Sequence, residues 1–287
     1  MDTHALWTTS GEAVAVDRVP AMTDAFRTIG ALTVVALDDA EGPHFDLRED
    51  AFPAATSQDW AAADALDPGA RASDGRWWLR FRSFAVRHED GPVTLVDAGI
   101  GPAGSLAADW APVPGRLPSA LAEAGIDPGD VEAVVLTHLH TDHIGWAAPG
   151  DSPFVNARVV VQRADAEAFA AARQEESLLA PLRAQGRLDL VEGDVRLSPG
   201  VRVVATPGHT PGHQSVLVES GDESLVVTGD LLVHAVQLVR PELAYGHDMD
   251  AEAARRSRAA VLADASSRGS WLAVSHLSTV WSRTGKG

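Results

Sequence analysis

The chain has no cysteine in 287 residues. That removes disulfides, thiolate nucleophiles, cysteine-ligated zinc and iron–sulfur clusters together, and leaves the redox compartment open. Lysine is nearly absent too. Of 23 basic residues only Lys286 is a lysine, so a lysine Schiff base inside the fold is excluded. No stretch approaches the roughly 18 consecutive apolar residues of a membrane span. The start, MDTHALWTTSGEAVAVDRVP, carries acids where a signal peptide carries bases and has no compact apolar run. Residues 1–24 therefore read as a loosely held arm or edge element, and the protein as cytoplasmic. Positive charge is scarce: 40 acids leave a net charge of −17. That excludes most nucleic-acid partners and docking on anionic lipid, and it favours a neutral or apolar small molecule.

What is present is an alternation of strands and helices. Ile29–Leu37, Trp77–Arg87, Val93–Asp97, Val131–Thr137 and Ala157–Gln162 read as strands, and so do 201–205, 214–219 and 224–229. Helices are expected at Pro118–Ala124, across 164–185 up to Gly186, and over 250–268, followed by a last strand Trp271–Ser275. Strand-rich blocks with helices at intervals predict sheets with helices packed outside, a layered α/β architecture. Gly99-Ile-Gly101-Pro-Ala-Gly104 formally matches a dinucleotide fingerprint, but Pro112 and Pro114 break the helix which that motif requires.

The informative segment is Thr137-His138-Leu139-His140-Thr141-Asp142-His143, directly after the strongest strand. Imidazole and carboxylate are the ligand types of zinc and of other first-row divalent ions. On an extended segment alternate side chains share a face, so His138 and His140 can grip one ion. Asp142 and His143 follow where the chain turns and can reach a second. Four ligands cannot close two sites, and further candidates lie just past other strands. These are the two histidines of Thr206-Pro-Gly-His-Thr-Pro-Gly-His213, Asp230 in Thr-Gly-Asp, and His276.

HLHTDH, TPGHTPGH, TGD and a terminal-strand histidine, in this order, resemble the metallo-β-lactamase superfamily of dinuclear hydrolases over roughly residues 29–282. The resemblance implies an αβ/βα four-layer sandwich, two mixed β-sheets face to face with helices outside, formed by residues 25–287 as one domain. It implies two divalent metal ions, zinc first, with manganese, iron or cobalt as alternatives. His138, His140 and His213 would hold one and Asp142, His143 and His276 the other, with Asp230 bridging both. His209 would then be turn-stabilising or without a chemical role. In LVDAGIG, Asp97 would orient a ligand histidine. The implied chemistry is attack of a metal-bridging hydroxide on an ester-like centre, with Asp142 or Asp230 handling the proton.

Within the superfamily, the common β-lactamases place cysteine where Asp230 stands, and only 11 residues follow His276, too few for the extensions of glyoxalase II or flavodiiron types. The remaining branch contains quorum-quenching lactonases and organophosphate-hydrolase-like enzymes, among which dimers are common. A lactone or related ester is thus the first substrate class. A phosphotriester or a pathway-specific ester or thioester is the alternative, and a non-catalytic metal protein is the third. Such lactonases carry a tyrosine shortly after the bridging aspartate. Here Val233 stands in that neighbourhood and the only tyrosine is Tyr245, which makes His234 the candidate replacement donor. Trp146 and Trp281 are candidates for a pocket wall or for core, Trp77 and Trp78 for core. Arg255, Arg256 and Arg258 read as a solvated helix face.

Overall fold

The computed structural model describes residues 25–88 and 91–283, together with the backbone of two short strands near the N-terminus. Those are β1 (His4–Trp7) and β2 (Ala13–Val16), paired antiparallel. The rest of the expected arm and Lys286 lie outside the described residues.

Seven strands form the first sheet, in the order of the chain: β3 (Phe26–Ile29), β4 (Leu32–Pro43), β5 (Trp78–His88), β6 (Val93–Val96), β7 (Val131–Val135), β8 (Arg158–Gln162) and β9 (Leu188–Val191). Neighbours from β3 to β6 are antiparallel and those from β6 to β9 are parallel. Six form the second: β10 (Val195–Ser198), β11 (Val201–Ala205), β12 (Gln214–Ser220), β13 (Glu223–Val227), β14 (Trp271–Ala273) and β15 (Trp281–Arg283). Only β13 and β14 run parallel there. Both sheets are mixed, as expected.

Their alternation explains the layers. Val34, Val86, Val135 and Val160 of the first sheet share a core with Val203, Val216, Val218 and Val227 of the second. The intervening Val35, Val134, Val159 and Val161 turn outward beneath the helices Leu117–Glu123, Arg163–Ala171 and Leu179–Ala184. Likewise Leu217 and Val226 face outward into the core under the helix Ala251–Arg268. Consecutive valines buried on both faces are what continuous apolar strands require, each side chain contributing about 1.5–3 kcal/mol. The result is a four-layer sandwich.

Several elements depart from the expected ones. The helix expected across 164–185 is two, Arg163–Ala171 and Leu179–Ala184, joined by the 3-10 turn Glu175–Ser177. Arg173 between them has φ 61, which an α-helix cannot continue through. Strands β3, β9, β10 and β15 are too short or too polar for periodicity to show. Trp78 is half-buried, whereas Trp77 is core.

The largest correction concerns Arg258. Arg255 and Arg256 are exposed and reach Glu252 one turn back, as a solvated face should. Arg258 is 0% exposed. Its guanidinium donates to the carbonyls of Leu231, Pro241 and Leu243 and lies 3.5 Å from Asp248. The loop connecting β13 to the helix exposes more inward-facing carbonyls than it can satisfy itself, and a five-donor fork is the side chain that can cap them. No helix among the described residues is long and apolar enough to cross a membrane.

Candidate metal centre

Parallel pairing places carboxyl ends of strands side by side. Asp97 follows β6, His138 follows β7, Asp230 follows β13 and His276 follows β14. The two parallel pairs belong to different sheets, and the bond from Gln214 N–H to the carbonyl of Thr137 ties their edges together at 2.8 Å. Gly229 has φ +52, and a Cβ there would meet Thr137 and the His213 ring at 2.8 Å. Only glycine lets the chain turn this close to the opposite sheet.

Two clusters of ligand atoms result. In the first, His138 Nε2 and His209 Nε2 each lie 3.0 Å from His140 Nδ1, and Asp230 Oδ2 lies 3.3 Å from His209 Nε2. In the second, His143 Nε2 and His276 Nε2 are 3.3 Å apart, and Asp142 Oδ2 is 3.4 and 3.5 Å from them. Asp230 Oδ1 faces this pair at 3.3 and 3.1 Å. One carboxylate thus gives one oxygen to each cluster. Asp230 Oδ1 is nevertheless buried without a hydrogen bond.

The donor set fits divalent cations. A tetrahedral ion with metal–nitrogen bonds of about 2.0–2.1 Å has ligand–ligand edges of about 3.3–3.4 Å. Both groups, His138/His140/His209/Asp230 and Asp142/His143/His276, keep their ligand atoms within 4.8 Å of one another. The far side of four of the five imidazoles is committed as a ligand requires. His138 Nδ1 faces Thr137 Oγ1 at 3.1 Å, which itself donates to Asp97 Oδ2. His143 Nδ1 donates to Asp97, His209 Nδ1 to Asp248 and His276 Nδ1 to the carbonyl of Arg80, at 2.9, 3.1 and 2.7 Å. Each such bond fixes the tautomer that leaves Nε2 with a lone pair facing the cluster. Asp97 reaches this position at φ 62, a left-handed conformation that aspartate tolerates better than most side chains.

Charge follows the same geometry. Burial holds the His138 imidazole well below the usual histidine range and that of His140 down to about 4. At His143 and His276 burial acts the same way, but the carboxylates of Asp142 and Asp230 outweigh it and push both up. Burial would raise the Asp230 carboxyl, yet the imidazoles of His276, His143 and His138 hold it well below the carboxylate range. The second cluster, which draws protons onto its histidines in this way, would draw a cation in their place, and the neutral imidazoles of His138 and His140 in the first keep their lone pairs for one.

Two expected residues stand elsewhere. His213 is not in the first cluster and His209 occupies the position assigned to it. His213 directly precedes β12 and is fully buried; its Nδ1 meets Thr206, and its Nε2 accepts the Asp230 backbone N–H at 3.0 Å. Both ring nitrogens are spent, Nδ1 on Thr206 of its own turn and Nε2 on the backbone that presents Asp230. The doubled Pro-Gly turn carries only the earlier histidine over the sheet edge. His234 is also misplaced as a substrate donor. Its ring lies 5.3 Å from Trp60 and from Trp77 and 5.8 Å from Phe52, away from the cavity, and its Nδ1 accepts the Val236 N–H.

Burial holds His234 neutral down to about 3. A histidine depressed in the fold and near 6.5 when unfolded lets the unfolded chain bind the extra proton between those values. Stability therefore falls as pH drops below 6.5 and goes on falling to about 3. His234→Asn keeps an acceptor for Val236 and should flatten the stability–pH slope between pH 6.5 and 4.5 by up to about 1.4 kcal/mol per unit. Denaturant unfolding at several pH values measures this. An unchanged slope would show that His234 takes its proton in the native state.

The cavity over the clusters has a volume of about 510 Å³. His140, Asp142, His209, Asp230 and His276 form its floor, and Phe45, Trp110, Leu79, Leu139, Val233, Tyr245, His44 and His247 its walls. Among the described residues no arginine or lysine lines it. Neither expected tryptophan contributes. Trp146 donates to Asp39 and packs under the first sheet, and Trp281 is buried between the sheets. The wall tryptophan is Trp110, whose indole N–H donates to Thr141 Oγ1. Sequence carried no signal for Trp110, Asp248 or His44, since each lies far along the chain from the motif it serves.

Comparison with known proteins agrees with this geometry. An N-acyl homoserine lactonase of Bacillus sp is 40% identical over 105 residues, 37% of this chain, and the chain spans only 40% of that lactonase's length. The crystal structure of the hydrolase AbOPH, described as in the beta lactamase superfamily, superposes with a TM-score of 0.74 at 24% identity, covering 92% of this chain and 98% of that one. AidC, described as a dizinc quorum-quenching lactonase, gives 0.71 at 19% identity over 91% and 97% of the chains. These two likenesses establish the fold. The model of the Metallo-beta-lactamase superfamily matches residues 82–276, from within β5 to the last histidine of the second cluster, and the chain therefore belongs to that superfamily.

Proposed function

We propose that this chain is a two-metal hydrolase of uncharged carboxylic esters, lactones first among them. The observation that carries the reading is Asp230, which sets one oxygen against each of two nitrogen clusters. His138, His140 and His209 would hold one cation, Asp142, His143 and His276 the other, with Asp230 between. When bound, two such cations supply a nucleophilic hydroxide at neutral pH and polarise a substrate oxygen. Asp230 turns both oxygens toward the imidazoles, whereas Asp142 turns only Oδ2, which makes Asp142 the carboxylate able to take a proton at its other oxygen.

Tyr245 supports the same reading. His44 Nδ1 accepts the Asp46 N–H at 2.9 Å, so its Nε2–H faces the Tyr245 oxygen at 3.1 Å. The phenolic proton is then left to point into the cavity, toward a developing oxyanion. Burial, with Asp230 and Asp142 nearby, pushes the phenol up, so the proton stays on at any working pH. Tyr245→Phe should lower kcat on the order of 10–100-fold with little change in KM. An equal loss in both the variant and a His44→Gln protein would agree; an unaltered kcat would remove Tyr245 from the chemistry.

An uncharged substrate is favoured by walls that hold rings and aliphatic groups and, among the described residues, no arginine or lysine to pair with a carboxylate or phosphate. The Bacillus relative's name, N-acyl homoserine lactonase, supports the lactone class. Metal analysis combined with acid release over lactones, aryl esters, thioesters and phosphotriesters tests the whole reading. Two metals per chain with lactone turnover abolished by chelator is the expected result. Full metal occupancy with no hydrolysis across the panel would overturn it.

A further inference from the structure

Asp165 belongs to neither cluster, yet its carboxylate joins the two loops that build the first one. It lies in the first turn of the helix Arg163–Ala171 and is 3% exposed. Oδ2 accepts the backbone N–H of Leu139 at 3.2 Å and the Thr210 hydroxyl at 3.0 Å; Oδ1 accepts the N–H of Gly212 at 2.6 Å. Leu139 sits between His138 and His140, and Thr210 directly follows His209. All three histidines of the first cluster thus flank donors to one carboxylate. Gly212 is packed so closely that a Cβ would stand 2.4 Å from the Asp165 nitrogen. Beside it, Gln162 donates to Gln214 Oε1, and Gln214 donates to the carbonyl of Leu136, which fixes the helix start to the same two loops.

The second cluster is held by other means. His143 leans on Asp97, His276 on the Arg80 carbonyl, and the 274–277 loop on the buried Arg82, which donates to the carbonyls of Val274 and Leu277. No bond from Asp165 reaches Asp142, His143 or His276 among the described residues.

We propose that Asp165 is a positioning residue for one metal position only, setting the spacing of His138 and His140 against His209 and leaving the second position untouched. The proposal rests on the two-metal reading. Asparagine in its place presents an amide N–H₂ to at least one of three inward-pointing donors, and the two loops lose their common acceptor. Loss of partners of this kind costs about 10–100-fold in metal affinity.

The test uses zinc-loaded protein equilibrated against graded chelator, with bound zinc counted by elemental analysis. The unaltered protein should hold two ions. Asp165→Asn should release one ion at about 10–100-fold lower chelator and the other at the unaltered concentration. Thr210→Val removes a single donor and should shift the same ion by less, which keeps the question open to measurement if Asp165→Asn folds poorly. In a His209→Ala background, already lacking the first position, Asp165→Asn should cause no further loss. Release of both ions together, no change in either, or an added loss in the His209→Ala background would overturn the proposal. An unaltered protein that never holds two ions would instead overturn the two-metal reading.

Discussion

Asp230→Ala is expected to abolish binding of at least one metal ion and to lower hydrolysis on the order of 1,000-fold, the equivalent of about 4 kcal/mol of transition-state stabilisation. Among the described residues no other carboxylate gives an oxygen to both clusters. Its oxygens lie 3.3 Å from His209 and 3.1 Å from His276, and removing them leaves five imidazoles, four of them buried, without the carboxylate that sits between them. Asp97→Asn is the fitting contrast. Asp97 bonds His143 and Thr137 and belongs to neither cluster, so its loss should cost only about 10–100-fold. Metal content by elemental analysis and turnover on one neutral ester, measured on both variants, check the ranking. Equal losses in the two would mean that the clusters are not bridged by Asp230.

Arg258→Leu should cost about 3–5 kcal/mol of stability, because it strands buried partners rather than removing a surface charge. The carbonyls of Leu231, Pro241 and Leu243 lose their donor, and Asp248 loses the guanidinium 3.5 Å away. In a chain of this size the melting temperature should fall on the order of 10 °C. Asp248 also accepts from His209 Nδ1, so zinc at the first cluster should be released at lower chelator as well. Arg255→Leu, three residues earlier and exposed, should move stability by no more than about 0.5 kcal/mol. Denaturant unfolding of both variants at fixed zinc decides the matter. A similar small change in each would return Arg258 to the solvated face that its sequence position suggests.

These two residues show where sequence reasoning reaches. Asp230 is legible because metal chemistry restricts residue types, and Thr-Gly-Asp after an apolar run places a carboxylate at a strand end. Arg258 is not legible. It shares a helix turn with Arg255 and Arg256, and nothing local separates a solvated arginine from one that caps carbonyls of a loop 15 to 27 positions earlier. The same limit accounts for the histidines of TPGHTPGH. Both follow a Pro-Gly pair, and the sequence offers two chemically equal candidates. Only the path of the turn decides that His209 projects over the sheet edge while His213 faces back to hold the Asp230 backbone.

His234 fails as a donor for a comparable reason. It lies four residues past Asp230, but its ring turns into Phe52, Trp60 and Trp77, which arrive from distant elements. Tyr245, farther along the chain, reaches the cavity because its loop is folded back by Arg258 through the Leu243 carbonyl.

By itself the sequence determined the chemistry available to this protein: no thiol, almost no lysine, and a set of imidazoles and carboxylates placed at strand ends, in layers set by doubly buried valine runs. Those properties are local, since they depend on residue type, on spacing along an extended chain and on hydrophobic alternation. The tertiary structure alone decided which histidine faces the clusters, which arginine is buried, and which acids hold rather than bind. Those outcomes depend on distances between segments far apart in the chain, where a single hydrogen bond across two loops outweighs any preference written within one of them.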